Sequence, residues 1–294
     1  AHGYPFMFST EASLNLADDA ELLSLMRQAN FFALFTGIET PDETALVQTS
    51  KKQNTRRSIA ESVHRIYGAG MYVAAGFIVG FDAEKGGVAA AMNECIRETS
   101  VPTATIGLLT ALPNTQLSRR LLKEGRLFET FRNSMKEAGD MCTAGLNFET
   151  LRPRREILRD YRDVVATAYD PQEYFGRVRR LGRLLRPPRF RLRTLFRRKP
   201  GREFRGWFRL AWSMTVRHPE LARPFWSTIW DTARHNPLAL EATIRNAGHF
   251  VHFYPFARYV VGTVDGWIGQ IDAGTWREPA TLAAGSTFPL SEAA

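Results

Sequence analysis

The chain has 294 residues and a mass of 33.3 kDa, with 44% hydrophobic, 23% charged and 12% aromatic residues. Such a composition supports a sizeable core, in one large or two ordinary domains, and excludes wholesale disorder, collagen and repeat arrays. The net charge of +9 divides unevenly: residues 1–150 are net −3, and residues 151–294 are net +12 with Arg for 24 of 25 cations. This change of sign predicts two regions with different roles.

The first region alternates strands and helices. Pro5–Thr10 (PFMFST) is a short apolar run, and Asp18–Asn30 follows with Leu22, Leu23, Leu25 and Met26 at helical spacing. Phe31–Ile38 (FFALFTGI) is continuously apolar, as a strand buried on both faces should be. Thr55–Gly68 reads as a helix, Met71–Val79 (MYVAAGFIV) as a strand, and Gly87–Glu98 as a helix. Thr103–Thr110 (TATIGLLT) reads as the next strand, and Gln116–Gly125 as a helix with a glycine stop. Four β-then-α units imply an α/β fold with a parallel sheet, doubly wound or part of a β/α barrel.

From about Arg152 the pattern is helical. Glu156–Ala168, Pro171–Leu185, Phe204–Val216, Ala222–Arg234, Ala239–Gly248 and Phe250–Gly262 read as helices. Pro187–Pro200 reads as a basic linker, and Ala273–Ala294 as a small, polar tail that frays. The domains are expected at 1–145 (α/β) and 146–294 (helical, rich in Arg and aromatics).

Ligands of parallel β/α sheets bind at the carboxyl ends of the strands. Two carboxylates, Glu11 and Glu39, end neighbouring strands, where they either accept hydrogen bonds from ribose hydroxyls or a ligand amine, or else cap the next helix or pair with a nearby Arg. Gly76 and Gly80 flank Ile78 near another strand end; glycine in a buried strand marks close approach of a flat ligand or tight helix–strand packing. The six histidines show no metal spacing. Cys95 and Cys142 are too few for a disulfide scaffold or a four-cysteine zinc site.

The order Phe35-Thr36-Gly37-Ile38-Glu39-Thr40, then Gly76-Phe77-Ile78-Val79-Gly80-Phe81-Asp82, then Leu112-Pro113-Asn114-Thr115-Gln116-Leu117 with Leu121 to Leu127 (LLKEGRL) resembles the later half of a radical S-adenosylmethionine enzyme. Members of that superfamily show "GIE" and "GxIxG" at successive strands, then "LPGTPL…EGRL". Gly145-Leu146-Asn147-Phe148, Tyr161-Arg162 and Tyr169 to Phe175 (YDPQEYF) are similar to the helical extension of a subgroup with a preceding cobalamin domain, which includes hopanoid C-2 methylases.

The resemblance implies S-adenosylmethionine as cofactor, with Glu39 at its ribose, Gly76, Ile78 and Gly80 packed on its adenine, and Glu11 near ligand or substrate. It also implies the carboxyl-terminal part of a partial β/α barrel. The pattern departs at Ala83, where an acid is expected and Glu84 comes one residue later, and at Asn114, which replaces a glycine in a turn that Asn tolerates. The C-x-x-x-C-x-x-C motif is missing, as is D-x-H-x-x-G, so the 4Fe–4S cluster and cobalamin are expected only from a part preceding Ala1.

Two functions follow as expectations. The first is the carboxyl-terminal portion of a cobalamin-dependent radical enzyme, acting by radical chemistry or methyl transfer on a small-molecule or lipid substrate. The alternative is a non-catalytic nucleoside-binding or membrane-surface module. The Arg-rich aromatic half is expected to cover the substrate cavity or touch an anionic membrane, the charge run Arg177–Arg205 reads as a solvated face, and no nucleic-acid partner is expected. No apolar run is long enough to span a membrane and no leader pattern occurs, which predicts a cytoplasmic chain at most peripheral to the inner membrane.

Overall fold

The computed structural model describes residues 6–41, 58–84, 86–131, 142–188 and 200–284. Four strands form one parallel sheet in chain order: β1 (Phe8–Glu11), β2 (Phe31–Glu39), β3 (Tyr72–Val79) and β4 (Thr103–Leu108). Between and after them run α1 (Ala20–Gln28), α2 (Ile59–Gly68), α3 (Val88–Thr99) and α4 (Gln116–Lys123). Three of these begin where a short polar side chain accepts a bond from an otherwise orphaned amide: Asp19 from Leu22, Ser58 from Glu61, and Thr115 from Ser118.

The two faces of the sheet differ. On β3, Val73, Ala75, Phe77 and Val79 are sealed beside helical residues such as Val63, Ile66, Met92 and Ile96. Ala74, Gly76 and Ile78 alternate with them and stay half-exposed. Register places Gly37 and Thr105 beside Gly76, and Gly107 beside Ile78. Parallel sheets are ordinarily covered on both sides. Here one face is small-residue, glycine-rich and largely open among the described residues.

The helical half holds α5 (Arg154–Ala168), α6 (Pro171–Leu184), α7 (Pro200–Trp212), α8 (Pro219–His235) and α9 (Leu240–Asp272). α5 lies against β4 and closes its outer edge. The Tyr169 hydroxyl donates to Ala104 O at 2.7 Å, and the Tyr161 hydroxyl to Ile106 O at 3.3 Å and Cys142 O at 2.8 Å. Carbonyls on a free strand edge invite another strand, and these phenols occupy them. Tyr174, Phe175, Phe225 and Phe250 form a buried aromatic core among α6, α8 and α9, with ring centroids 4.7–6.3 Å apart.

Three expectations are corrected here. Ala239–Gly248 and Phe250–Gly262 are not two helices but one, α9, whose 33 residues span about 50 Å. Its internal Pro255 is exposed and forgoes one backbone bond without ending it. The tail folds back before residue 285: Glu129 N donates to Ala280 O at 2.9 Å, and Leu282 N to Leu127 O at 2.7 Å. Arg177, at the start of a basic run that reads as a solvated face, is 1% exposed. Its guanidinium donates to Val101 O at 2.9 Å and to Ala168 O, and burial pushes its pKa down to about 10. The basic linker at Pro187–Pro200 lies mostly outside the described residues.

Candidate functional site

Glu39 is the most unusual backbone position at the carboxyl end of the sheet. Gly37 pairs with Gly76, but Glu39 pairs with Phe77, so Ile38 is an extra residue in β2. Glu39 itself takes φ +68°, in the left-handed region that costs a side-chain-bearing residue of the order of 1–2 kcal/mol. A bulge followed by a left-handed residue re-aims the side chain at a strand end. Glu11 is exposed at the end of β1 but pairs with Phe35. β2 therefore runs on past it, and the two carboxylates are offset by about 10–13 Å along the strand direction.

The glycines separate into two roles. Gly76 and Ile78 lie on the open face, and the Phe35 ring rests against Gly76, where an added Cβ would meet Phe35 Cζ at 3.2 Å. Gly80 has turned away with φ +112°, and a Cβ there would sit 2.8 Å from Leu146 Cδ2. The structure thus brings Glu39, Gly76 and Ile78 to one end of the sheet. It puts Gly80 beneath the Gly145–Phe148 segment and Glu11 lower on the neighbouring strand.

That segment ties the loops together. Gly145 lies directly on Leu108, and Leu146 N donates to Leu109 O at 2.8 Å. Asn147 brackets the loop after β4: its Oδ1 accepts from Ala111 N at 2.8 Å, and its Nδ2 donates to Ala111 O at 3.1 Å and Phe131 O at 3.2 Å. Arg154 donates to Leu146 O and Phe148 O at 3.0 and 2.9 Å. Asn114, in the same loop, has φ +64°, the left-handed turn its sequence position suggests.

Asp82 and Arg126 join the second and third motifs. Arg126 grips Asp82 with two bonds of 2.7 and 3.0 Å, and Arg120 adds a third at 2.8 Å. Burial alone would raise the Asp82 pKa, but Arg126 and then Arg120 hold it below the usual carboxylate range. Sequence reading missed this pair. The signal was present as an acid ending an apolar strand motif and an arginine ending the next one.

Glu84 is the displaced acid of the glycine motif, and it is 3% exposed. Its Oε2 accepts from Gly80 N at 2.9 Å and lies 3.7 Å from Arg152 Nη1, while Oε1 is buried without a hydrogen-bond partner. Burial pushes its pKa from 4.5 up to about 7, against the pull of the Gly80 and Phe81 amides and Arg152. A proton is therefore held in the folded state that the unfolded chain has released. Stability is expected to fall by about 3 kcal/mol as pH rises from 4.5 through 7, and to level off above. Glu84→Gln, which keeps the acceptor, should flatten that slope in denaturant titrations between pH 4.5 and 8. An unchanged slope would assign the pH dependence to other groups.

Among the described residues no group of three His, Cys, Asp or Glu side chains is placed to hold a metal ion. Cys95 is buried within α3, with its thiol pushed up to about 12 by burial, and Cys142 is partly exposed. These thiols do not fit an iron–sulfur cluster. His64, His218 and His235 serve neighbouring backbone or carboxylate oxygens, while His249 meets Phe253 edge-on and His252 stacks on Phe256.

Residues 115–265 match the family described as Domain of unknown function (DUF4070). The chain belongs to this family, the carboxyl-terminal region of cobalamin-type radical S-adenosylmethionine proteins. It is 38% identical over 259 residues to an uncharacterized methyltransferase, sll1242, of Synechocystis, covering 88% of this chain and 47% of that protein. It is 35% identical over 175 residues to the hopanoid C-2 methylase of Rhodopseudomonas palustris, covering 60% of this chain and 31% of that protein. The chain thus spans at most about half the length of these relatives. No solved structure matches it.

Proposed function

We propose that this chain is the substrate-facing, carboxyl-terminal part of a cobalamin-type radical S-adenosylmethionine methylase acting on an unactivated carbon of an apolar, lipid-like molecule. The relatives named methyltransferase and hopanoid C-2 methylase support methylase-like chemistry. The observation that carries the reading is the open, glycine-rich sheet face ending in the left-handed Glu39. Such a sheet is suited to be part of a β/α barrel whose lumen is that face.

In this reading S-adenosylmethionine, when bound, supplies the radical and methyl-donor chemistry of the class. Glu39 accepts hydrogen bonds from ribose hydroxyls. Gly76 and Ile78 present a flat apolar surface to the adenine, and Gly80 supports it from the turn. Glu11, lower on β1, faces the substrate side. In this reading the cluster and the cobalamin are held by another part of a longer protein.

Glu39→Ala is expected to weaken S-adenosylmethionine binding at least tenfold, because a charged hydrogen bond is worth about 1.5–3 kcal/mol. Glu39→Gly should bind as poorly yet unfold at a higher temperature, since glycine takes φ +68° without strain. Calorimetric titration and thermal unfolding of the intact protein check both. Unchanged affinity in the two variants would make Glu39 a structural turn residue.

A further inference from the structure

Between the middle of α9, the start of α8 and the π-helical turn Ser213–Arg217 lies an open cleft of about 530 Å³. Its size falls within the range of small-molecule sites, roughly 300–1,000 Å³. Its floor is apolar: Met214, Leu221 and Phe250 are each at most 2% exposed. One wall is a row of α9 residues four apart, Val251, Pro255 and Tyr259, all exposed to solvent. Val251 is 45% and Tyr259 54% exposed, unusual for apolar side chains bordering an apolar hollow.

The segment that supplies Met214 carries a second exposed row at the same spacing. Phe208, Trp212 and Val216 are 62%, 43% and 58% exposed. Cations accompany both rows. Arg217 stacks on the Trp212 ring at 4.9 Å, and Arg258 lies 5.9 Å from the Tyr254 ring centre. Arg205 and Arg209 are also exposed on α7. The acid on the rim, Glu220, sits 3.4 Å from His218. The other tryptophans of this half lie elsewhere, and Trp267 and Trp276 meet each other edge to face at 6.4 Å. Trp207 and Trp226 pack around Phe225, whereas Trp230 is 72% exposed near the far end of α8.

We propose that this cleft and its two flanking rows are a docking face for an anionic membrane surface, with apolar side chains entering the headgroup layer and Arg217 and Arg258 meeting lipid phosphates. The charge argues for this occupant. The face and its flanking helix present Arg205, Arg209, Arg217 and Arg258 against the rim acid Glu220, within a half of the chain that is net +12, and arginine is well suited to phosphate. The aromatics argue for an interface, where one end of a ring is apolar and the other wet. No helix among the described residues is long and apolar enough to cross a membrane, so contact would be in the plane of the surface. The face also gives the proposed enzyme a place to meet a lipid substrate, but its test does not depend on that activity.

The intact protein should co-sediment with vesicles of phosphatidylglycerol in phosphatidylcholine at low salt, at least tenfold more tightly than with phosphatidylcholine alone. Binding should fade in 0.5 M salt, where screening is short-ranged. Val251→Asp with Tyr259→Asp, and separately Arg217→Glu with Arg258→Glu, should each lower the affinity at least tenfold. Trp230→Ala should leave it unchanged. Should a paired variant fail to fold, quenching of Trp212 emission by brominated lipid, judged against Trp212→Phe, reads the same contact. Absence of binding to anionic vesicles at low salt would overturn the proposal. So would equal losses in the Trp230→Ala control, or a dimer dispersed by the α9 variant in a protein that ignores vesicles.

Discussion

Replacing Asp82 by alanine is expected to cost about 3–5 kcal/mol of folding stability, because it strands a nearly buried guanidinium. Arg126 has only 11% of its side chain exposed and Asp82 only 6%, so water replaces little of the lost contact. Arg126 would keep Glu124 at 2.8 Å and Glu149 O at 2.8 Å, which places the loss toward the lower end of that range. The same pair sets an acid limit. The Asp82 pKa lies below its ordinary 3.8 in the folded state, so its contribution is whole above that value and disappears as pH falls through the lower, folded one. Chemical denaturation of Asp82→Ala, Arg126→Met and the double variant measures the coupling. A coupling under about 1 kcal/mol would equate the pair with an ordinary surface ion pair.

Gly145→Ala should be as damaging through a different cause. An added Cβ would lie 2.1 Å from Leu108 Cβ and 2.9 Å from the Leu108 Cα and carbonyl carbon. Backbone on both sides means that neither can rotate away. The segment must lift, giving up the Leu146–Leu109 bond and the Asn147 bracket on Ala111. A loss of at least about 3 kcal/mol is expected, with poor expression as its extreme form. Gly68→Ala is the control, since no atom lies within 4 Å of its added Cβ. Thermal unfolding of the two proteins compares them directly, and near-equal melting temperatures would show that the segment adjusts freely.

The α/β alternation was readable because buried parallel strands leave continuous apolar runs and their helices leave amphipathic ones. Each of the four strands lies within three residues of its expected ends. What escaped reading depends on contacts distant in sequence. The break was read between Gly248 and Phe250, yet a glycine inside a helix costs only about 1 kcal/mol and does not stop α9. The Thr281 bridge to Phe128 has no local pattern to announce it. At the site, Glu39, Gly76 and Ile78 were legible as strand-end residues. Glu84 looked like a misplaced acid, and only its bond to Gly80 explains the position. Arg177 looked solvated because a run of arginines hides which one faces inward.

The tyrosine caps on β4 also set a timetable for synthesis. The strand ends at Leu108, and the phenols that close its edge come at Tyr161 and Tyr169. About sixty residues must be added in between, which at roughly 5–20 residues per second leaves the edge uncapped for about 3–12 seconds on each ribosome. A nascent chain in that interval offers β4 to any passing strand. Slowing elongation across Ala111–Tyr169 with rare codons should therefore lower the soluble yield more than the same slowing placed after Tyr169.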